Sequence, residues 1–174
     1  MSAVEIKDRY HTFWPRVSAA IIDGIVLMPL AFVADPDLYA PGNGIVAIAV
    51  NVVGYAIPIL YSVLMHARYG QTLGKMAVRV RVLDLSESRL PTLRQAFFRD
   101  IGEIGFDLVM LGQLVIAVSG GTYAGGDEYL IPAVDALMWA GFGWTFLEIV
   151  TMLTNSKRRA VHDYIAHTVV VRDV

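Results

Sequence analysis

Four carboxylic acids, Asp23, Glu103, Asp107 and Glu148, fall inside long apolar stretches of this 174-residue chain. An ionisable group in such surroundings is costly and marks a functional site by default. Glu103 and Asp107 are four residues apart, so on a helix they share one face. Two close carboxylates cannot both ionise cheaply; one keeps a proton near neutral pH, or a cation compensates them. These residue types therefore point to binding of a proton or of a small cation such as Na+. Asp23 and Asp107 are the expected main ligands, with Glu148 and Glu103 completing the site. A structural clamp is the competing reading. Arg16 lies two helical turns before Asp23, about 10 Å along the axis, and its side chain points back toward the near interface. A direct Arg16–Asp23 pair is therefore not expected. Asp23 is expected to meet Arg99, backbone donors or the returning tail, where Arg158 and Arg159 add charge. Both readings stay open on the residues alone.

Other chemistries find less support. The chain has no cysteine, which removes disulfides, thiolate ligands and cysteine nucleophiles. His11, His66, His162 and His167 lack metal-ligand spacing, so no metal site and no cofactor are expected. Gly70–Gln71–Thr72–Leu73–Gly74–Lys75 resembles a phosphate-binding loop, but only three residues separate its glycines and Met76 follows the lysine, so the motif fails. A glycine-shaped turn is the better reading. No Ser–His–Asp arrangement stands out. The chain is expected not to be an enzyme, and no nucleic-acid partner is expected.

The elements that must carry these acids are membrane helices. Hydrophobic residues make up 56% of the chain and charged residues only 17%, where a soluble domain carries about 25% charged. Apolar stretches run from about 17 to 34, 45 to 65, 101 to 119 and 133 to 154. Each is close to the roughly 20 residues that cross the hydrocarbon core as a helix. The basic start, with Lys7 and Arg9, imitates a signal peptide, but Asp23 in the run that follows argues for a retained helix. Asp23, Asp107 and Glu148 each come out about 9 Å from the same face, using the helical rise, so they share one layer. All 14 Lys and Arg lie in the N-terminal arm, the 66–100 connector or the 155–174 tail. The other two loops carry Asp35, Asp37, Asp127 and Glu128, with Asp135 beside them, and no basic residue. The positive-inside rule then puts both termini in the cytoplasm. Trp14 with Tyr10 and Phe13 at one boundary, and Tyr39, Tyr123 and Tyr129 at the other, suit the aromatic belts.

The expected fold class is an all-α membrane protein: a bundle of four transmembrane helices with a small cytoplasmic two-stranded β element, in a single domain over 1–174. Val78–Arg79–Val80–Arg81–Val82 alternates as a half-exposed strand does, and Thr168–Val171 is its expected partner. Ser86–Ser88 reads as a turn, Thr92 as a helix cap, and Arg159–Ala166 as a short helix. Leu93, Phe97 and Phe98 suit a membrane surface. Small residues, Ala20 with Gly24, Gly102 with Gly105 and Ala136 with Ala140, mark expected packing faces. Beyond the lipid bilayer and a proton or Na+, the expected partner is a second copy of the chain, because four spans leave little room for a private pathway.

Three segments carry a family resemblance. Trp14–Pro15–Arg16 followed by Ile22–Asp23–Gly24, then Gly70–Lys75 with its Val-rich strand, then Arg158–Val170 resemble, in order, the motifs of the RDD family of membrane proteins. That family is named for one Arg and two Asp. Arg16 and Asp23 match the first two; Asp163 matches the third, with Asp100 after Arg99 as competitor. The resemblance implies a bacterial inner-membrane location and transport as the usual assignment.

Overall fold

The computed structural model describes residues 9–33, 42–123 and 131–173, with the side chains of 131–135 excepted. Asp35, Asp37, Tyr39, Asp127, Glu128, Tyr129 and the side chain of Asp135 thus lie outside the described residues. Four helices are long and apolar enough to cross a membrane: α1 (Phe13–Val33), α2 (Gly44–Tyr69), α5 (Ile101–Ser119) and α6 (Ile131–Thr154). Between them stand short helices α3 (Leu73–Ala77), α4 (Leu93–Arg99) and α7 (Val161–Ile165), and strands β1 (Val80–Asp84) and β2 (Thr168–Arg172).

Local chemistry sets the ends. Pro15 sits in the first turn of α1, where its missing N–H costs nothing. Asn43 caps α2 by accepting from Ile45 and Val46 N–H. That helix runs four residues past its expected end and stops where Gly70 turns left-handed at φ 70°, a conformation glycine adopts without strain. Thr92 and Gln95 form a reciprocal capping box on α4.

β1 and β2 pair antiparallel, with Val82 opposite Val170. The strand begins two residues later than the alternation suggests. Residues 73–77 wind into α3, and Arg79 adopts a positive φ of 55°, so Val78 and Arg79 belong to the turn. Two strands alone are marginal, and here both faces are covered. Val80, Val82 and Val170 pack together on one face, while Val169 and Val171 pack with Tyr10 and Leu83 on the other. Glu87, in the β1–α4 turn, accepts from Tyr10 Oη at 2.6 Å and pairs with Lys157 at 2.7 Å and Arg9 at 3.1 Å. N-terminal arm, connector and tail are thereby tied at one end of the bundle, where Arg and Lys collect.

The spans are built the other way round. Ile21, Ile25, Phe32, Leu60, Leu108, Ile116, Trp139 and Phe146 face outward. Such a surface is stable where lipid replaces water. The expected small-residue faces divide: a Cβ on Gly102 would meet Trp144 at 2.7 Å, while Gly24 and Gly105 have nothing within 4 Å.

The tightest approach joins α1 to α3. A Cβ on Gly74 would lie 2.1 Å from the Ala19 carbonyl oxygen and 2.8 Å from Asp23 Oδ2. Backbone cannot yield as a side-chain tip does. Gly74→Ala should therefore lower thermal stability in detergent by about 3 kcal/mol, the upper end for overpacking, whereas Gly105→Ala should leave it within about 0.5 kcal/mol.

Candidate functional site

The α3 turn exists to meet Asp23. Thr72 Oγ1 donates to Asp23 Oδ2 at 2.6 Å; Gly74 N and Tyr61 Oη donate to Oδ1, each at 2.8 Å. Tyr61 Oη in turn accepts from Leu73 N at 2.9 Å. Three neutral donors thus serve one carboxylate, and the Gly70–Lys75 motif supplies two of them. Gln71 Nε2 donates to the Val80 carbonyl at 3.0 Å, which ties this turn to the sheet.

Asp163 is fully buried and lies between two guanidiniums. Arg16 Nη1 donates to its Oδ2 at 2.7 Å, and Arg99 Nη1 donates to its Oδ1. Ala160 N reaches Oδ2 at 3.0 Å, and Thr168 Oγ1 reaches Oδ1 at 3.3 Å. Burial alone would push the Asp163 carboxyl up, but Arg16 and Arg99 outweigh it and hold the group well below the usual carboxylate range. Arg99 also donates to Thr168 Oγ1 at 2.8 Å. Arg159 donates to the Thr168 and Asp163 carbonyls, each at 2.9 Å, and lies over the Tyr164 ring. Arg158 caps the end of α6 through the Leu153 carbonyl at 3.1 Å.

Between these two clusters lies a cavity of about 650 Å3. Spans α1, α2, α5 and α6 all line it, and so do α3 and the tail. Asp23, Glu103 and Glu148 line it; Asp107 does not. Of the four acids that the sequence assigns to one site, three therefore share a space. Asp23 has both oxygens occupied. Glu148 is buried against His162, with 2.8 Å to its Nδ1 and 3.2 Å to its backbone N. His162 Nε2 lies 3.2 Å from Arg99 Nη2. Glu103 is exposed within the cavity.

Sequence reasoning gave three cavity residues no place in the candidate ion site. Asp100 precedes Glu103 by about one turn; its Oδ2 is buried without a hydrogen-bond partner, and burial pushes its carboxyl up. Lys75 lines the cavity, and burial together with the Arg99 charge pushes its ammonium down to about 8. His66 is buried with Nε2 unpartnered. By sequence they lie in the connector between the second and third spans, where charge is ordinary. Their convergence depends on how four chain segments return to one end of the bundle. Among the described residues, no group of three or more His, Asp and Glu is arranged to hold a metal ion.

Removing the shared carboxylate leaves two buried cations side by side. Asp163→Asn should cost about 3–5 kcal/mol in detergent unfolding, against about 1 kcal/mol for Arg158→Ala. Because the folded pKa of Asp163 is depressed, its contribution is complete above the unfolded value near 4 and is lost only as pH falls through the lower folded value. Unfolding followed between pH 7 and 4 should show no loss traceable to this group.

The cluster joins Arg16 of the first motif to Asp163 of the last and leaves Asp23 to the middle motif, while Asp100 lines the cavity. The model of the RDD family matches residues 10–167. No curated protein and no solved structure matches the chain. With the match covering nearly its whole length, the chain belongs to the RDD family.

Proposed function

We propose that this chain is a non-enzymatic inner-membrane protein of a bacterium that couples movement of a proton or small cation to transport. The cavity carries this reading. It sits among four apolar spans and presents Glu103, exposed, and Asp100, with an unpaired oxygen. Acids kept in such a place are expensive unless they bind something. Asp23 is not the exchanging ligand here, because its oxygens are taken by Tyr61, Thr72 and Gly74. The exchanging role falls to Glu103, with Asp100 and Glu148 beside it. Charge placement supports cytoplasmic termini, with Arg and Lys on the side of the sheet.

One observation favours a second reading. Arg16 and Asp163, which lie in the first and last motif segments, form a buried ion pair, as a scaffold or partner-binding module without transport would require.

Flux separates the readings. In liposomes, proton- or Na+-driven flux should fall at least tenfold for Glu103→Gln, with the unfolding temperature unchanged, and should persist in Asp107→Asn. Equal flux in all three proteins, or none in the parent, would favour the scaffold. Orientation is open to a separate check, since the chain lacks cysteine. Ser119→Cys, at the far end of α5, should react with an impermeant maleimide in intact cells. Ser88→Cys, in the sheet turn, should react only after lysis.

A further inference from the structure

Cavity walls of this kind normally satisfy their own polar groups. This one leaves groups of both signs unsatisfied. The Arg16 side chain is only 9% exposed, yet among the described residues its Nε and Nη2 have no hydrogen-bond partner, and neither has Arg99 Nε. Arg16 and Arg99 share the carboxylate of Asp163, and the charges of Glu148 and Asp100 reach them too, so what the two guanidiniums have to spare is N–H donors, not net charge. Lys75, on the same wall, adds a third cation. Facing them at the entry to α5 are Asp100, with Oδ2 free, and Glu103. The two sets are close enough for Lys75 and Asp100 to act on one another's charge.

A simple anion would leave the acids unmet, and a simple cation would leave the guanidinium unmet. A ligand that satisfies both carries an anionic oxygen group and an ammonium a short arm apart. The rest of the wall is apolar, with Phe13, Val17, Leu27, Trp144 and Ile149. Those residues lie on α1 and α6, spans that are not among the closely packed helix pairs. An acyl chain entering there passes from the bilayer without crossing water.

We propose that the cavity binds a zwitterionic phosphate–ammonium group, in the form of a phosphoethanolamine lipid whose phosphate meets Arg16 and Lys75 and whose ammonium meets Glu103 and Asp100. Guanidinium and ammonium donors suit phosphate oxygens, and a primary ammonium supplies three donors for carboxylates. The proposal names the ligand class of the cavity read above as an ion-coupled site, and it rests on that reading for anything that follows binding.

The test is native mass spectrometry and thermal unfolding of the delipidated, detergent-purified full chain. The probes are phosphatidylethanolamine, phosphatidylglycerol, phosphatidylcholine and free phosphoethanolamine. Phosphatidylethanolamine should be retained and should raise the unfolding temperature more than either other lipid. Lys75→Met and Glu103→Gln, which remove no side-chain hydrogen bond among the described residues, should each weaken its retention about tenfold. Stronger retention of phosphatidylglycerol, equal retention of phosphatidylcholine, or retention unchanged in both variants would overturn the proposal. Binding of free phosphoethanolamine as tight as that of the lipid would assign the same headgroup chemistry to a soluble ligand and overturn the lipid form. Proton- and Na+-driven flux in the same preparation reports on transport independently, so a silent flux assay with selective binding leaves this inference standing and removes only the transport reading.

Discussion

A carboxylate with no access to water is tolerable only where charge and hydrogen bonds surround it, and Asp163 has both. Its two guanidiniums come from opposite parts of the chain: Arg16 from the start of the first span, Arg99 from the last residue of α4. Asp163 itself belongs to the tail. Three segments distant in sequence can hold their charges at this point only by coming together, and the small sheet, the α4 helix and the ends of the spans are arranged around that meeting. Because the pairs are buried, breaking one partner is far more costly than the net worth of the bridge. The interaction therefore acts more as a specification of one arrangement than as a source of stability.

The second polar cluster does for α1 and α3 what the first does for the tail. Asp23 needs donors inside an apolar helix, and the Gly70–Lys75 turn brings them, with Gly74 permitting backbone contact with Ala19. Two of the family's motif acids are thus consumed by structure. What remains ionisable around the cavity, chiefly Glu103, Asp100 and Lys75, is the part of the molecule with bonding capacity to spare. A site's chemistry resides in the groups the fold leaves unsatisfied, and here these include Arg16 Nε and Nη2 but not the oxygens of Asp23 or Asp163.

Hydropathy and charge were legible at the level of whole elements. Each of the four apolar runs became a span, and the third kept its bounds of 101 and 119. Strand pairing between the connector and the tail was readable from alternation and from a β-rich end. The turn at 73–77 was not: five residues that read as a loop wind into a helix because Thr72 caps them and Asp23 waits beneath. Among the acids, membership of the spans was visible, while the fate of each was not. Asp23 and Asp107 look alike in sequence, yet one receives three donors and the other lies away from the cavity.

Sequence by itself determined that this chain has four apolar helices with its cations gathered into three segments, because lipid offers no partner to a backbone or to a charge, and so composition alone decides what may enter it. It also determined the family, since the motifs are contiguous stretches of residues. Only tertiary structure decided which acid meets which base. Ion pairs and hydrogen bonds reach about 3 Å, and the partners of Asp163 and Asp23 stand as many as 147 residues away; a pattern read along the chain carries no distance between segments until packing brings them into contact.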